Sequence, residues 1–315
     1  MKLELRAAKA PEDFPEILTV LNAANPNFPL TLERLQHEED SRDPKYYFAS
    51  FVAVADGVIR GLAAVFEDPF AHRAGKLNLQ LRVHPEFWGL RIGSSLFERV
   101  LEHIKPLNTE VLQSGAGEDW TRALRFHLDR GFQETWRRTE SRLETRDFDF
   151  AQYQHLEGGI LAKNIEIKTF TELEIDPARD AKLYDLDWAL WQDIPFGEQI
   201  SKPSFETWQK EMTHDPMFEP DGCLIAVKDD EFIGYTSFIK NPSGFLIIGM
   251  TGVLREYRGI GLATFLKLRG IRYAQKIGNL EIRTFNDAPN TAMLEMNRKL
   301  GFKRFPGWIR FERKL

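Results

Sequence analysis

The chain has 315 residues, 43% hydrophobic and 28% charged, with 22 Gly and 16 Pro. This is the composition of a globular protein long enough for two domains, and it excludes collagen-like and disordered classes. Forty-two Lys+Arg against 47 Asp+Glu leave a net charge of −5, which argues against nucleic-acid capture by a broad basic surface and favours small-molecule partners.

A single cysteine, Cys223, excludes an intramolecular disulfide, and no Cys/His cluster has zinc-site spacing, so a reducing, cytoplasmic setting without a structural metal is expected. The opening residues Lys2-Leu3-Glu4-Leu5-Arg6 alternate charged and apolar side chains, unlike a signal peptide. No run approaches 18 apolar residues, so no membrane association is expected.

In chain order, hydrophobic periodicity predicts a strand at Lys2–Ala7, helices near Glu12–Asn22 and Leu32–Glu38, and strands at Tyr47–Ala55, Val58–Phe66 and Lys76–Val83. A helix follows, with Leu96, Val100 and Ile104 at i, i+4 and i+8, then a strand at Glu110–Gln113 and a helix at Trp120–Asp129. Asp147–Asn164, with Gly158-Gly159 and no clear period, reads as a linker. The same series then recurs: strand Glu166–Phe170, helices Ala178–Trp191 and Phe205–Met212, and strands Cys223–Val227, Phe232–Ile239 and Phe245–Val253. A helix from the glycines, strand Glu281–Thr284 and helix Asn290–Lys299 complete it. The expected fold class is α+β, two tandem domains (1–146 and 164–315, joined by 147–163), each with a mainly antiparallel sheet flanked by helices.

Sequence identities support the duplication. Val83-His84-Pro85-Glu86-Phe87-Trp88-Gly89-Leu90-Arg91-Ile92-Gly93 matches Val253-Leu254-Arg255-Glu256-Tyr257-Arg258-Gly259-Ile260-Gly261-Leu262-Ala263, and Arg130-Gly131-Phe132 matches Leu300-Gly301-Phe302, all at a spacing of 170 residues. So long a unit is a whole domain rather than a solenoid repeat.

Arg258 to Ala263 sits where a strand hands over to a helix, whose first amides lack intrahelical acceptors and form a ready anion site. Glycines let a phosphate approach the main chain, and Arg255 or Arg258 can add charge-assisted bonds. The loop lacks the Gly-Lys-Ser/Thr of a nucleotide-binding P-loop and the G-x-G-x-x-G dinucleotide spacing.

The arrangement resembles the GNAT superfamily of N-acetyltransferases, in a tandem, mycothiol-synthase-like architecture. Its signature, Gln/Arg-x-x-Gly-x-Gly/Ala, is filled by Arg258, Gly261 and Ala263, and Thr284 to Asn290 with Met293 and Asn297 resembles its second cofactor element. The resemblance implies acetyl-CoA as co-substrate and direct transfer to a small-molecule amine by the C-terminal domain. It further implies that main-chain groups of Thr251, Gly252 and Val253 bind pantetheine and the acyl carbonyl, with the Val253 amide as oxyanion donor, a contribution of about 3–4 kcal/mol in other acyl transfers. Gly259, Ile260, Gly261, Leu262, Ala263 and Thr264 would hold the pyrophosphate, with Asn286 and Asn290 facing the pantetheine arm; without the resemblance, Asn290 reads as a helix cap.

In the first copy, Val83, Gly89, Arg91, Gly93 and Ser94 occupy the corresponding places. Trp88 replaces Arg258, Arg91 replaces Gly261 and Trp120 replaces Asn290, so this copy reads as a degenerate cofactor site. Its His84 and His127 read as structural.

An amine of pKa about 10.4 is only about one part in 2500 neutral at pH 7, so a base is expected, yet Phe245–Val253 contains no carboxylate. Many relatives carry a tyrosine seven residues after the pantetheine asparagine, as acid for the leaving thiolate. Asn297 stands at this catalytic position, and an amide is no general acid. Tyr257, Tyr235 and Asp287 are candidate acids, and Cys223 reads as core. Trp191, Asp193 and Glu198, between two helices of the second copy, suit a cationic acceptor. Alternatives are an acyl-CoA-binding protein without catalysis, and an aminoacyl transferase using charged tRNA. A monomer or homodimer is expected.

Overall fold

The computed structural model describes residues 2–315. The first half holds β1 (Leu3–Ala7), α1 (Phe14–Ala24), α2 (Leu32–Asp40), β2 (Phe48–Ala55), β3 (Val58–Phe66), β4 (Lys76–Val83), α3 (Ile92–Ile104), β5 (Val111–Gly117), α4 (Thr121–Leu128) and β6 (Gln133–Glu144). The second holds α5 (Gln154–Leu161), β7 (Glu166–Thr169), α6 (Arg179–Trp191), α7 (Phe205–Glu211), β8 (Phe218–Lys228), β9 (Glu231–Lys240), β10 (Leu246–Val253), α8 (Leu262–Lys276), β11 (Glu281–Asp287), α9 (Thr291–Lys299) and β12 (Lys303–Lys314). Single 3-10 turns at Pro85–Phe87 and Arg255–Tyr257 precede α3 and α8.

Two compact units result: Met1–Arg137 with Gly197–Pro203 and Pro306–Leu315, and Arg138–Phe196 with Ser204–Phe305. Each is a mixed, mainly antiparallel sheet flanked by helices. In the first, β1, β2, β3 and β4 pair antiparallel in turn, β5 runs parallel to β4, and β12 pairs antiparallel with β5 from Trp308↔Gly117 to Lys314↔Val111. In the second, β7, β8, β9 and β10 pair antiparallel, β11 runs parallel to β10, and β6 pairs antiparallel with β11 from Arg138↔Asp287 to Glu144↔Glu281.

This division differs from the expected 1–146 and 164–315, because each sheet takes its last strand from the other half of the sequence. An alternating strand encodes which face is buried and not which edge it joins, so the exchange leaves no trace in the pattern. The segment expected as a linker also differs. Leu156 and Ile160, at i and i+4 on α5, pack against Leu262, Phe265 and Leu266 of α8, while Glu157 lies 3.7 Å from Arg269 and 3.6 Å from Arg272.

The helices after the glycine turns follow from their apolar stripes. Ile92, Leu96, Phe97, Val100 and Ile104 of α3 are all buried against the first sheet. Leu262, Phe265, Leu266, Ile271 and Ala274 of α8 are buried against the second sheet, and α8 also buries Lys267.

Candidate functional site

The parallel pairing of β10 with β11 covers only Leu246↔Ile282, Ile247↔Arg283 and Ile248↔Thr284. Beyond Ile248 and Thr284 the strands are unpaired and a gap opens. The bend has a local cause: the register of β10 on β9 shifts between Ile248 and Thr251. In this bulge Met250 N donates to Ser237 Oγ at 3.2 Å, and Thr236 Oγ1 lies 3.2 Å from Met250 O and 2.8 Å from Thr251 Oγ1.

Leu254 N donates to Ile233 O at 2.9 Å. With Gly252↔Tyr235 and Val253↔Gly234 in register, antiparallel alternation turns the main-chain groups of Thr251 and Val253 away from β9 and into the gap, and those of Gly252 onto β9. The expected trio of free residues is therefore a pair. Gly252 instead lets α6 approach β10 closely, since a Cβ there would meet the end of the Leu190 side chain at 2.7 Å.

The turn after β10 ends in Gly259 (φ +79) and Gly261 (φ +84), and Gly261 caps α8 without a side-chain hydrogen bond. The first intrahelical bond is Phe265 N to Gly261 O, so the amides of Leu262, Ala263 and Thr264 lack helical acceptors. Arg258 Nε donates to Val253 O at 2.9 Å, tying turn to strand. Arg258 and Arg255 both bond Asp193, which holds its carboxyl below the usual range. Asp193, expected to meet a cationic acceptor, instead meets two arginines of the turn between β10 and α8.

The other expected site residues separate. Trp191 stacks on Phe196 at 5.0 Å in the second unit. Glu198 belongs to the first unit, where it bonds Lys76 and Arg310. Tyr257 donates to Glu231 Oε2 at 3.4 Å, at the start of β9, across β10 from the gap. Tyr235 is buried and donates to Asp187, with Trp208 Nε1 2.8 Å from the same carboxyl. Burial pushes Asp187 and the Tyr235 hydroxyl up, and likewise the buried Cys223 thiol. Asn290 caps α9, accepting from Met293 N at 3.3 Å. Asp287, also buried, lies 3.6 Å from Arg138.

Two groups escaped the sequence reading. Asp187 is a buried carboxyl on α6, one turn from Leu190. Lys267 of α8, 3% exposed, donates to Asn297 Oδ1 at 2.8 Å, and Asn297 Nδ2 donates to Asn286 Oδ1 at 2.7 Å. The signal was present, since Lys267 lies four residues after Ala263 and three before Gly270, on the stripe facing the sheet.

The first unit repeats the frame. Pairing of β4 with β5 stops at Leu79↔Ser114, and His84 N bonds Arg60 O, so the Val83 main chain also faces a gap. Gly89 has φ +85, and Arg91 caps α3 at φ +65, keeping the left-handed turn in which Gly261 sits. Trp88 Nε1 donates to Val83 O at 2.9 Å, as Arg258 does to Val253 O. Gly93 packs 3.6 Å from Phe126 at its Cβ position, and Ser94 accepts from Arg130 at 2.8 Å. The gap itself is filled. Trp308 and Trp120 lie edge to face at 5.2 Å over Gly115 and Gly117 of β5, so closely that Cβ atoms there would fall 2.3 and 2.8 Å from the indoles. His127, at the position matching Asn297, is buried and stacked on Phe311 at 4.8 Å, and burial lowers its pKa.

An open cavity of about 480 Å³ lies between α5, β7 and α8, lined by residues including Glu157, Glu166, Lys168 and Arg269, and includes no residue of the β10–β11 gap. Among the described residues no group of three or more His, Cys, Asp or Glu is placed to hold a metal, and no helix is long and apolar enough to cross a membrane.

The model of the acetyltransferase (GNAT) family matches residues 14–132 and again 181–302. The chain is 26% identical to a mycothiol acetyltransferase of Renibacterium salmoninarum, over 96% of this chain and 87% of that one. Among solved structures, a tandem GNAT protein from the clavulanic acid biosynthesis pathway shares the fold with a TM-score of 0.74 at 19% identity, over 99% of this chain and 98% of that one. A GCN5-related N-acetyltransferase from Sphaerobacter thermophilus does so with a TM-score of 0.67 at 19% identity, over 99% and 95%.

Proposed function

The chain belongs to the GNAT acetyltransferase family and is an N-acetyltransferase; on that premise we propose that its second unit transfers an acetyl group from acetyl-CoA directly to a small-molecule amine. The observation that carries this reading is the gap beyond Ile248 and Thr284, with the Val253 N–H facing it and the uncapped start of α8 beside it.

In this reading the amides of Leu262, Ala263 and Thr264 receive the pyrophosphate, Gly259, Ile260 and Gly261 let it approach, and Arg255 and Arg258 add positive charge. The arm lies along the unpaired stretches of β10 and β11, past Thr251, Asn286 and Asn290. Val253 N–H donates to the thioester oxygen, where negative charge grows as the neutral amine attacks. The similarity to mycothiol acetyltransferases supports a small acceptor, and Trp191 is the aromatic surface proposed to meet it. In the first unit Val83, Gly89, Arg91, Gly93 and Ser94 keep the form of a cofactor site, while Trp120 and Trp308 occupy the room for the arm.

Thiol release from acetyl-CoA, measured against a panel of small amines, tests the proposal. Amine-dependent release abolished by Gly261→Glu is the expected result. CoA binding without release for any amine would favour an acyl-CoA-binding protein, and binding of charged tRNA that weakens steeply with salt would favour aminoacyl transfer.

A further inference from the structure

Arg82 of β4 carries a guanidinium into the first unit beside Trp120 and Trp308, its Cζ 5.4 and 5.8 Å from the two indole centroids. Its one hydrogen bond runs from Nη1 to Leu81 O at 2.9 Å, so Nε and Nη2 have no acceptor. Neither indole Nε1 has an acceptor among the described residues. All three side chains are half-buried, and these unpaired nitrogens are still reached by solvent. The cluster therefore holds donors only.

No carboxylate balances it. Lys76 and Arg310 share Glu198, Glu118 bonds Arg137 and Gly307 N, and Arg130 donates to Ser94. Glu312 stands opposite Gln113, whose partner on β4 is Asn78, four residues before Arg82. Burial alone lowers the Arg82 pKa, to about 10, which leaves the group charged at neutral pH. That charge is felt nearby: burial lowers the His127 pKa, and the charges of Arg82 and Arg130 push it the same way. The second unit builds the matching strand with Gly252 in this place, so the sheet itself requires no arginine. An apolar side chain would cover the indoles without the cost of desolvating a cation.

We infer that Arg82, Trp120 and Trp308 form a binding site in the first unit for a small aromatic carboxylate. The planar guanidinium fork offers Nε–H and Nη2–H to the two carboxylate oxygens, and the indoles offer flat apolar surface to the ring. One cation matches one negative charge; a phosphate dianion would bring a second charge with nothing to meet it. The site lies apart from the turn before α8 and does not depend on the acetyl-CoA reading of the second unit. It gives the first unit a ligand of its own beside a gap that its tryptophans close to the arm of a cofactor.

The test is a calorimetric titration of the full chain with benzoate in the absence of CoA, compared with benzamide and with inorganic phosphate. Benzoate should fill one site per chain with a Kd below about 1 mM. Benzamide, which has the same shape without the charge, and phosphate should each bind at least about tenfold more weakly. These comparisons use the unaltered chain, so they stand whatever a substitution does to folding. Arg82→Met should weaken benzoate binding about 30-fold or more, and Arg82→Lys, which keeps the charge and loses the fork, about five- to tenfold. Gly261→Glu should leave it unchanged. Failure of benzoate to bind the unaltered chain, benzamide or phosphate binding as tight as benzoate, or affinity that survives Arg82→Met overturns the inference and leaves the acetyl-CoA reading untouched.

Discussion

The two units carry one turn on one backbone and differ in what lies beyond it. In the second, Arg258 holds Val253 O and leaves a cation beside the start of α8; in the first, Trp88 makes the same bond to Val83 O and brings none. Arg91 adopts the left-handed cap that Gly261 adopts freely, at a cost of about 1–2 kcal/mol for a side-chain-bearing residue. Past the strand break, β11 presents Asn286 toward Asn297 and Lys267, whereas Trp120 and Trp308 close over the glycines of β5. A duplicated fold thus keeps its hydrogen-bonding frame more readily than its empty space, because the frame holds the sheet together and the space serves only a ligand.

Substitutions that carry features of one unit into the other sharpen this contrast. The largest expected effect is on stability. Lys267 stands where the first unit has an apolar Phe97, and its folded-state pKa is lowered to about 7 from 10.5. Below pH 7 both folded and unfolded chains hold the proton, and the burial penalty applies in full. Between about pH 7 and 10.5 only the unfolded chain keeps it, so stability rises with pH. Lys267→Met should therefore be the more stable protein in mild acid, by up to about 5 kcal/mol, and lose that advantage by about pH 10. Denaturant unfolding of both proteins across this range measures it, and parallel curves would contradict the burial of a charged lysine.

Next in size, Gly261→Glu places a carboxylate at the uncapped start of α8 and should weaken acetyl-CoA binding about 100-fold or more. The matching Arg91→Glu should change it less than about twofold. The new side chain at position 261 also meets Leu156, whose Cδ2 lies 2.8 Å from the Cβ position, so a small loss of melting temperature accompanies it. Trp308→Ala removes an indole packed on Gly115 and Trp120 and should destabilise the chain by about 2–3 kcal/mol. It should create no second acetyl-CoA site, because Trp88 still stands in place of the arginine; two sites in that variant would show that filling alone silences the first unit. The smallest effect concerns Asp193. Asp193→Asn releases Arg255 and Arg258 toward phosphate and should tighten acetyl-CoA binding about two- to fivefold at low salt, less at high salt.

Much of this was legible in the sequence because it rests on local rules. The 170-residue spacing holds element by element, from β4 and β10 through the turns to α3 and α8, since glycine turns and buried stripes are set by neighbouring residues. What was not legible depends on distant partners. The exchange of β6 and β12 joins edges far apart in sequence, and the pairing of Asp193 with Arg255 and Arg258, or of Glu198 with Lys76 and Arg310, follows from where loops land. Lys267 falls between these cases. Its place on a buried stripe was visible, but its bond to Asn297 required the fold.

The most direct test of the central claim is a calorimetric titration of the chain with acetyl-CoA, read for stoichiometry. One site per chain, lost in Gly261→Glu and kept in Arg91→Glu, is the predicted result. Two sites, or one that survives Gly261→Glu and disappears in Arg91→Glu, would contradict the assignment of the open gap to the second unit.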